Sequence, residues 1–220
     1  MFGLKSQMIS KDQALPGRAE AIPTDKTHAV LGTPLKGPYP QGMETVVFAM
    51  GCFWGVERLF WKVPGVYTTA AGYLGGYTKN PTYKEVCTGQ TAHTEGVLVV
   101  YDPTKVTFQH LLKTFWENHD PTQGFRQGND IGTQYRSAIF PHSPEQEAEA
   151  KAAIERAKAD WPAPIVTTIE PLGAWWPAED YHQEYWQGEG QSNSYCLAVI
   201  PPKIRKLRKS FANRAKAGAA

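Results

Sequence analysis

Cysteine is scarce in this chain, with three among 220 residues, and that scarcity excludes two classes at once. An odd set at positions 52, 87 and 196 cannot build the disulfide framework of a small secreted domain, and no Cys-x-x-Cys pair offers a zinc site. In a reducing compartment such thiols are free or form a transient redox pair. Long apolar runs are lacking as well. No stretch approaches the roughly 18 residues a membrane span needs, and the first ten residues have no apolar signal-peptide core. Charge of one sign is missing too: the net value is +2, so no global field marks a nucleic-acid or membrane binder. A soluble cytoplasmic protein with one sizeable core is the expectation.

What is present begins with punctuation. Pro16-Gly17, Pro23, Gly32, Pro34, Gly37-Pro38-Tyr39-Pro40 and Gly42 make residues 1–44 an arm packed on the surface of a domain. The apolar run Thr45-Val46-Val47-Phe48-Ala49-Met50 then reads as a buried strand, and Val56-Glu57-Arg58-Leu59-Phe60-Trp61 as helical. Between them stands Gly51-Cys52-Phe53-Trp54-Gly55. Cys52 is thereby set at a strand-to-helix switch, where free N–H groups and the helix dipole favour a thiolate or a developing negative charge. Two aromatics beside it make an apolar wall. This is the pattern of a nucleophile that grips something small and apolar; the alternative is an inert structural cysteine in a core corner.

From there strand and helix alternate. Residues 65–73 read as a strand ended by Gly75-Gly76, 82–87 as a short helix, and 95–101 as a strand closed by Asp102-Pro103. Phe108, Leu111, Leu112, Phe115 and Trp116 fall on one helix face. The glycine-rich polar segment 118–135 is too polar for core and too long for a simple turn, so a functional loop is expected. A strand at 137–140 follows, then a helix opened by Ser143-Pro144-Glu145-Gln146, a strand at 165–169, and loops holding Trp175, Trp176, Tyr181, His182 and Cys196. The expected fold is α/β in the α+β sense: a two-layer sandwich on a mixed sheet, ferredoxin-like in character. A catalytic domain at 45–187 would lie between the arm and a flexible tail at 188–220.

Several polar groups are candidates to converge on Cys52. Glu95 opens a strand, where an acid is a poor β-former, and is either a site acid or a solvated edge charge. Tyr83 and Tyr135 flank the polar loops as hydroxyl donors or as core residues with satisfied hydroxyls. Asp130 either orients such donors or is a turn residue.

Gly51-Cys52-Phe53-Trp54-Gly55, Gly72-Tyr73-Leu74-Gly75-Gly76, Tyr83-Lys84-Glu85-Val86-Cys87, the run from Trp116 through Gly124 and that from Arg126 through Ser137 closely resemble the peptide methionine sulfoxide reductase A family. The likeness extends from about Thr45 to Gln187, and the arm resembles the extended N-terminus of bacterial members. The resemblance implies thiol-dependent reduction of methionine S-sulfoxide, free or in proteins, as repair of oxidative damage. Cys52 would attack the sulfoxide sulfur and be left as a sulfenic acid. Glu95 would protonate the oxygen, Tyr83 and Tyr135 would donate to it, and Phe53 and Trp54 would clasp the methyl, with Asp130 in a supporting role in substrate binding. The chemistry further implies that burial raises the pKa of Glu95.

By the same resemblance Cys87 is structural and Cys196 resolves the sulfenic acid from a flexible tail. No cysteine follows Cys196, so thioredoxin would reduce a Cys52–Cys196 disulfide directly; no metal or cofactor is implied, and a monomer is expected. The basic run from Lys203 to Lys216 reads as a solvated tail, with no nucleic-acid partner expected. Two rival functions are another cysteine enzyme, a Cys-His-Asp acyl transferase or a thiol peroxidase using Cys52 with His119 or His182, and a non-enzymatic binder of methionine-rich or oxidised segments.

Overall fold

The computed structural model describes residues 6–194 and 197. Cys196 and the basic residues from Lys203 onward lie outside the described residues.

Strand β1 (Glu44–Met50) runs from an exposed Glu44 into five consecutive buried residues, the signature of a strand covered on both faces. It is followed by α1 (Phe53–Trp61), β2 (Val66–Leu74), the single turn α2 (Tyr83–Val86), β3 (Thr94–Tyr101) and α3 (Phe108–Asn118). Next come β4 (Arg126–Gln127), β5 (Asp130–Ile131), β6 (Ser137–Pro141), α4 (Pro144–Ala157), β7 (Thr168–Ile169) and β8 (Trp176–Pro177). The main sheet has the order β7-β6-β1-β3-β2-β8. Its inner four strands, β6, β1, β3 and β2, pair antiparallel with one another, and with α1 and α3 as connections they form a split βαβ arrangement of ferredoxin-like type. Parallel pairing of β7 with β6 makes the sheet mixed.

One face of the sheet carries the helices. Phe48 stacks on Phe60 of α1 at 4.9 Å and meets Phe115 of α3 at 5.5 Å, while α4 turns the small residues Ala150, Ala153 and Ala157 inward. The other face presents Val47, Ala49, Leu74, Val100 and Phe140, and these pack beneath Leu35, Tyr39 and Met43 of the N-terminal segment and beneath Trp175. All eight residues of β3 are buried as a result.

The N-terminal segment is tied down along its length. The Leu15 N–H donates to the Gln90 carbonyl, Arg18 pairs with Glu85 at 2.8 Å, and the Thr24 and Thr33 hydroxyls donate to the carbonyls of Ala178 and Tyr67.

Two details differ from the sequence expectations. The strand expected over 165–169 is limited to Thr168–Ile169, and the expected loop at 176–177 pairs with Gly72 and Tyr73 as an edge strand. Pro177 has no N–H to give and is tolerated there because an edge strand pairs on one side only. The polar segment 118–135 contains the small β4–β5 hairpin and is knit by its own side chains, with Gln127 exchanging two hydrogen bonds with the Asp120 backbone.

Candidate active site

Gly51 takes φ 88°, a left-handed conformation that costs glycine little, and it turns the chain sharply from β1 into α1. Cys52 becomes the residue preceding the first helical turn, where the backbone N–H groups lack helical partners. One of those groups is claimed at once: the Phe53 N–H donates to Glu95 Oε2 at 3.0 Å. Strand pairing brings them together. In the antiparallel register Phe48 faces Val97, so the start of β3 lies beside the end of β1.

Glu95 is 1% exposed, and burial pushes its carboxyl up to about 8. The hydrogen bond from Phe53 opposes this rise, and the negative charge of Asp130 in β5 adds to it. The second oxygen, Oε1, is buried without a hydrogen-bond partner among the described residues. A protonated acid with one oxygen held and the other open is the form needed to donate a proton to an arriving group.

Tyr83 opens α2, and Tyr135 ends a 3₁₀ turn, Thr133–Tyr135. Burial and then the charge of Glu95 push both hydroxyls well above the ordinary tyrosine range, so both stay protonated donors. Cys52 is a further cause for each, which places the two phenols, the acid and the thiol in one neighbourhood. Tyr83 is held by the Thr82–Glu85 capping box and Tyr135 by Arg136, whose guanidinium donates to the Ala92 and Thr133 carbonyls. A hydrogen bond with Cys87 also raises Tyr83, so this cysteine, expected to be structural, stands at the edge of the site.

The apolar wall is built from rings. Phe53 is buried and contacts Tyr73 at 5.7 Å and His182 at 5.3 Å. Trp54 is half-buried, stacks on Tyr185 at 4.0 Å, and donates its indole N–H to His182 Nδ1 at 2.9 Å. That bond fixes the tautomer: His182 carries its proton on Nε2, and burial lowers its pKa to about 4. Its one lone pair is occupied, so it is no base for Cys52. His119 is equally committed, with Nδ1 on the Phe115 carbonyl at 2.7 Å and Nε2 on the Ser137 hydroxyl at 2.8 Å. These bonds remove the basis for a Cys-His acyl transferase.

Sequence reasoning missed how residues 178–184 furnish the site. Gln183 grips the Ala71 backbone with both amide atoms, at 2.8 and 2.9 Å, and so seats the segment on β2. Glu179 accepts the Tyr83 N–H at 2.8 Å and the Tyr73 hydroxyl at 2.9 Å. The density of polar and aromatic residues in Glu179-Asp180-Tyr181-His182-Gln183-Glu184-Tyr185-Trp186 was the available signal.

A separate buried group, His28, Glu57 and Glu184, has ligand-type atoms within 4.8 Å of one another. His28 Nδ1 accepts the Val30 and Leu31 N–H groups and Nε2 meets the Thr69 hydroxyl at 2.9 Å, so the imidazole keeps no lone pair for a cation. Burial holds His28 down at about 4 and pushes Glu184 up to about 7, with Glu57 higher than its ordinary range for the same reason. The cluster is held by the Thr69 hydroxyl, which meets His28 and donates to Glu57, and by the Glu184 N–H, which donates to the other Glu57 oxygen.

The family model for peptide methionine sulfoxide reductase matches residues 44–215. The chain is 62% identical over 194 residues to peptide methionine sulfoxide reductase MsrA 1 of Caulobacter vibrioides, covering 86% of this chain and 88% of that protein. It is 56% identical over 201 residues to MsrA of Salinispora tropica, with coverage of 87% and 89%. Among solved structures, methionine sulfoxide reductase A of Corynebacterium diphtheriae superposes with TM-score 0.76 at 46% identity, over 82% of this chain and 90% of that one. Reduced Mxr1 of Saccharomyces cerevisiae gives TM-score 0.68 at 34% identity, with 74% and 92% covered. Mxr1 has also been solved in complex with Trx2, a likeness of 24% identity and TM-score 0.50, over 70% and 93%, that bears on the fold alone. With the thiol at a helix start, the open buried acid and two phenol donors already in hand, this agreement across most of its length means that the chain belongs to the peptide methionine sulfoxide reductase family.

Proposed function

We propose that Cys52 is the nucleophile of methionine sulfoxide reduction in this chain, acting on the S epimer, and that Glu95 is its acid. The sulfoxide oxygen is a strong acceptor, and its sulfur becomes electrophilic only when that oxygen takes a proton. Glu95 Oε1–H supplies the proton, and Tyr83 and Tyr135 donate to the same oxygen. Phe53 and Trp54 form the socket for the methyl group, which offers no polar handle. Asp130 keeps Glu95 protonated through its charge and lies beside the substrate. As the Cys52 sulfur bonds to the sulfoxide sulfur and the oxygen passes to Cys52, methionine leaves reduced and Cys52 becomes a sulfenic acid. Cys196 then displaces water from Cys52 to form a disulfide, and a dithiol of the thioredoxin class returns both cysteines to thiols. Mxr1, which in its reduced form is 34% identical to this chain, has been solved in complex with Trx2, and this supports the choice of reductant.

The observation that carries the reading is the buried Glu95 carboxyl, with one oxygen on the Phe53 N–H and the other open. No helix among the described residues is long and apolar enough to cross a membrane. We take the enzyme to work as a cytoplasmic monomer on free methionine sulfoxide and on oxidised proteins.

The test is reduction of each methionine sulfoxide epimer, first with dithiothreitol and then with thioredoxin, followed by non-reducing peptide mapping after one turnover. S-epimer turnover with a Cys52–Cys196 bridge is expected. Turnover of the R epimer alone, or a Cys52–Cys87 bridge, would overturn the assignment. Binding of a sulfoxide peptide without reduction would favour a binding module.

A further inference from the structure

We infer that Glu179 is a positioning residue acting through Tyr73: by taking the Tyr73 hydroxyl, it keeps Oε1 of Glu95 open for the sulfoxide oxygen. The inference rests on the reading of Glu95 as the acid. Tyr73 and Glu95 are directly opposite in the β2–β3 register, so their side chains leave the same face of the sheet about 5 Å apart at Cβ. Both are buried, at 0% and 1% exposure. A buried carboxyl oxygen without a partner and a buried phenol on the neighbouring strand would ordinarily pair, because unsatisfied polar atoms are costly in the interior.

Here they do not pair. The Tyr73 hydroxyl donates at 2.9 Å to Glu179 Oε2, and Glu95 Oε1 has no partner among the described residues. Glu179 is held in place for this. Its other oxygen accepts the Tyr83 N–H at 2.8 Å, and the clamp of Gln183 on Ala71 and on the Ala178 carbonyl seats the segment against β2.

The remaining polar groups around Glu95 do not substitute for Tyr73. The Phe53 N–H is on Oε2, Asp130 contributes negative charge, and Cys52, Tyr83 and Tyr135 belong to the space where substrate reacts. A Tyr73 hydroxyl turned to Glu95 would occupy the oxygen the substrate needs and favour the carboxylate over the acid. Glu179 therefore holds the Tyr83 backbone in place and keeps a competing donor away from the acid.

The experiment titrates Glu95 itself, by the 13C shift of its side-chain carboxyl in the full-length protein, with the resonance assigned by its loss in Glu95→Gln. Glu179→Ala is expected to lower the Glu95 midpoint by about 1 to 2 pH units, the size of a hydrogen bond to a charged group. Glu179→Leu keeps the volume and serves if the alanine variant does not fold. Tyr73→Phe alone leaves the midpoint in place, and Tyr73→Phe with Glu179→Ala returns it to the wild-type value. An unmoved midpoint in both Glu179 variants overturns the inference. So does an equal drop in the double variant, because Glu179 would then act by its own charge. If Glu95→Gln is fully active while the midpoint still moves, the acid reading fails and the Glu179–Tyr73 link stands.

Discussion

Glu95→Gln separates the acid from the rest of the site. Gln keeps the shape and can still accept the Phe53 N–H, but it has no titratable proton. With its carboxyl at about 8 instead of the ordinary 4.5, Glu95 is protonated about 90% of the time at pH 7, against about 0.3% for an unperturbed group. Burial thus supplies about 300-fold more of the competent acid at neutral pH. A positioned general acid contributes about 10² to 10⁴ in rate, so a loss within that range is expected in the variant.

The assay is rapid chemical quench of methionine formed in a single turnover without reductant, from pH 5.5 to 9.5. The ratio of wild type to variant cancels the pH dependence the two share, so it is the diagnostic. It should be constant below about pH 7 and fall about tenfold per unit above 8, once wild-type Glu95 has lost its proton. A ratio under about threefold at pH 7, or one that stays flat to pH 9.5, would refute the acid role.

Trp54→Phe keeps a ring in the proposed methyl socket but deletes the indole N–H that His182 accepts. A neutral hydrogen bond is worth about 0.5 to 1.5 kcal/mol, so KM for a sulfoxide peptide should rise roughly 2- to 12-fold with kcat nearly kept. A fall in kcat at unchanged KM would contradict a pure binding role. The buried cluster makes a prediction about stability. Glu184 at about 7 and Glu57 above its ordinary range hold protons in the fold that the unfolded chain has released above 4.5. The Glu184 contribution is complete below pH 4.5 and is lost as pH rises through about 7, and that of Glu57 is lost in the same direction, by up to about 1.4 kcal/mol per pH unit for each retained proton. His28 titrates in the opposite sense below 6.5, so urea unfolding should be compared between pH 6.5 and 9, where Glu184→Gln is expected to flatten the decline. Stability that rises over that window would count against protonated carboxyls.

Much of this protein is legible in the local order of its residues. The run from Thr45 to Met50 reads as a buried strand, and Cys52 immediately after Gly51 reads as sitting at a strand-to-helix switch, because the next residues have helical spacing; the structure has both. The residue types at 52, 53, 54, 83, 95 and 135 offered a nucleophile, an apolar socket and oxygen donors beside structural alternatives, and the motifs that contain them indicated the family. Tertiary structure decided which of these groups meet. Antiparallel pairing of β1 with β3 carries Glu95 to the Phe53 N–H, a contact across 42 residues that no local pattern encodes. Burial of all of β3 between the helices and the N-terminal segment turns an ordinary carboxyl into one that keeps its proton at neutral pH. The bonds to His182, Tyr73 and Tyr83 from opposite ends of the domain were equally beyond reach, since a side chain's partner, tautomer and charge depend on what the fold packs against it.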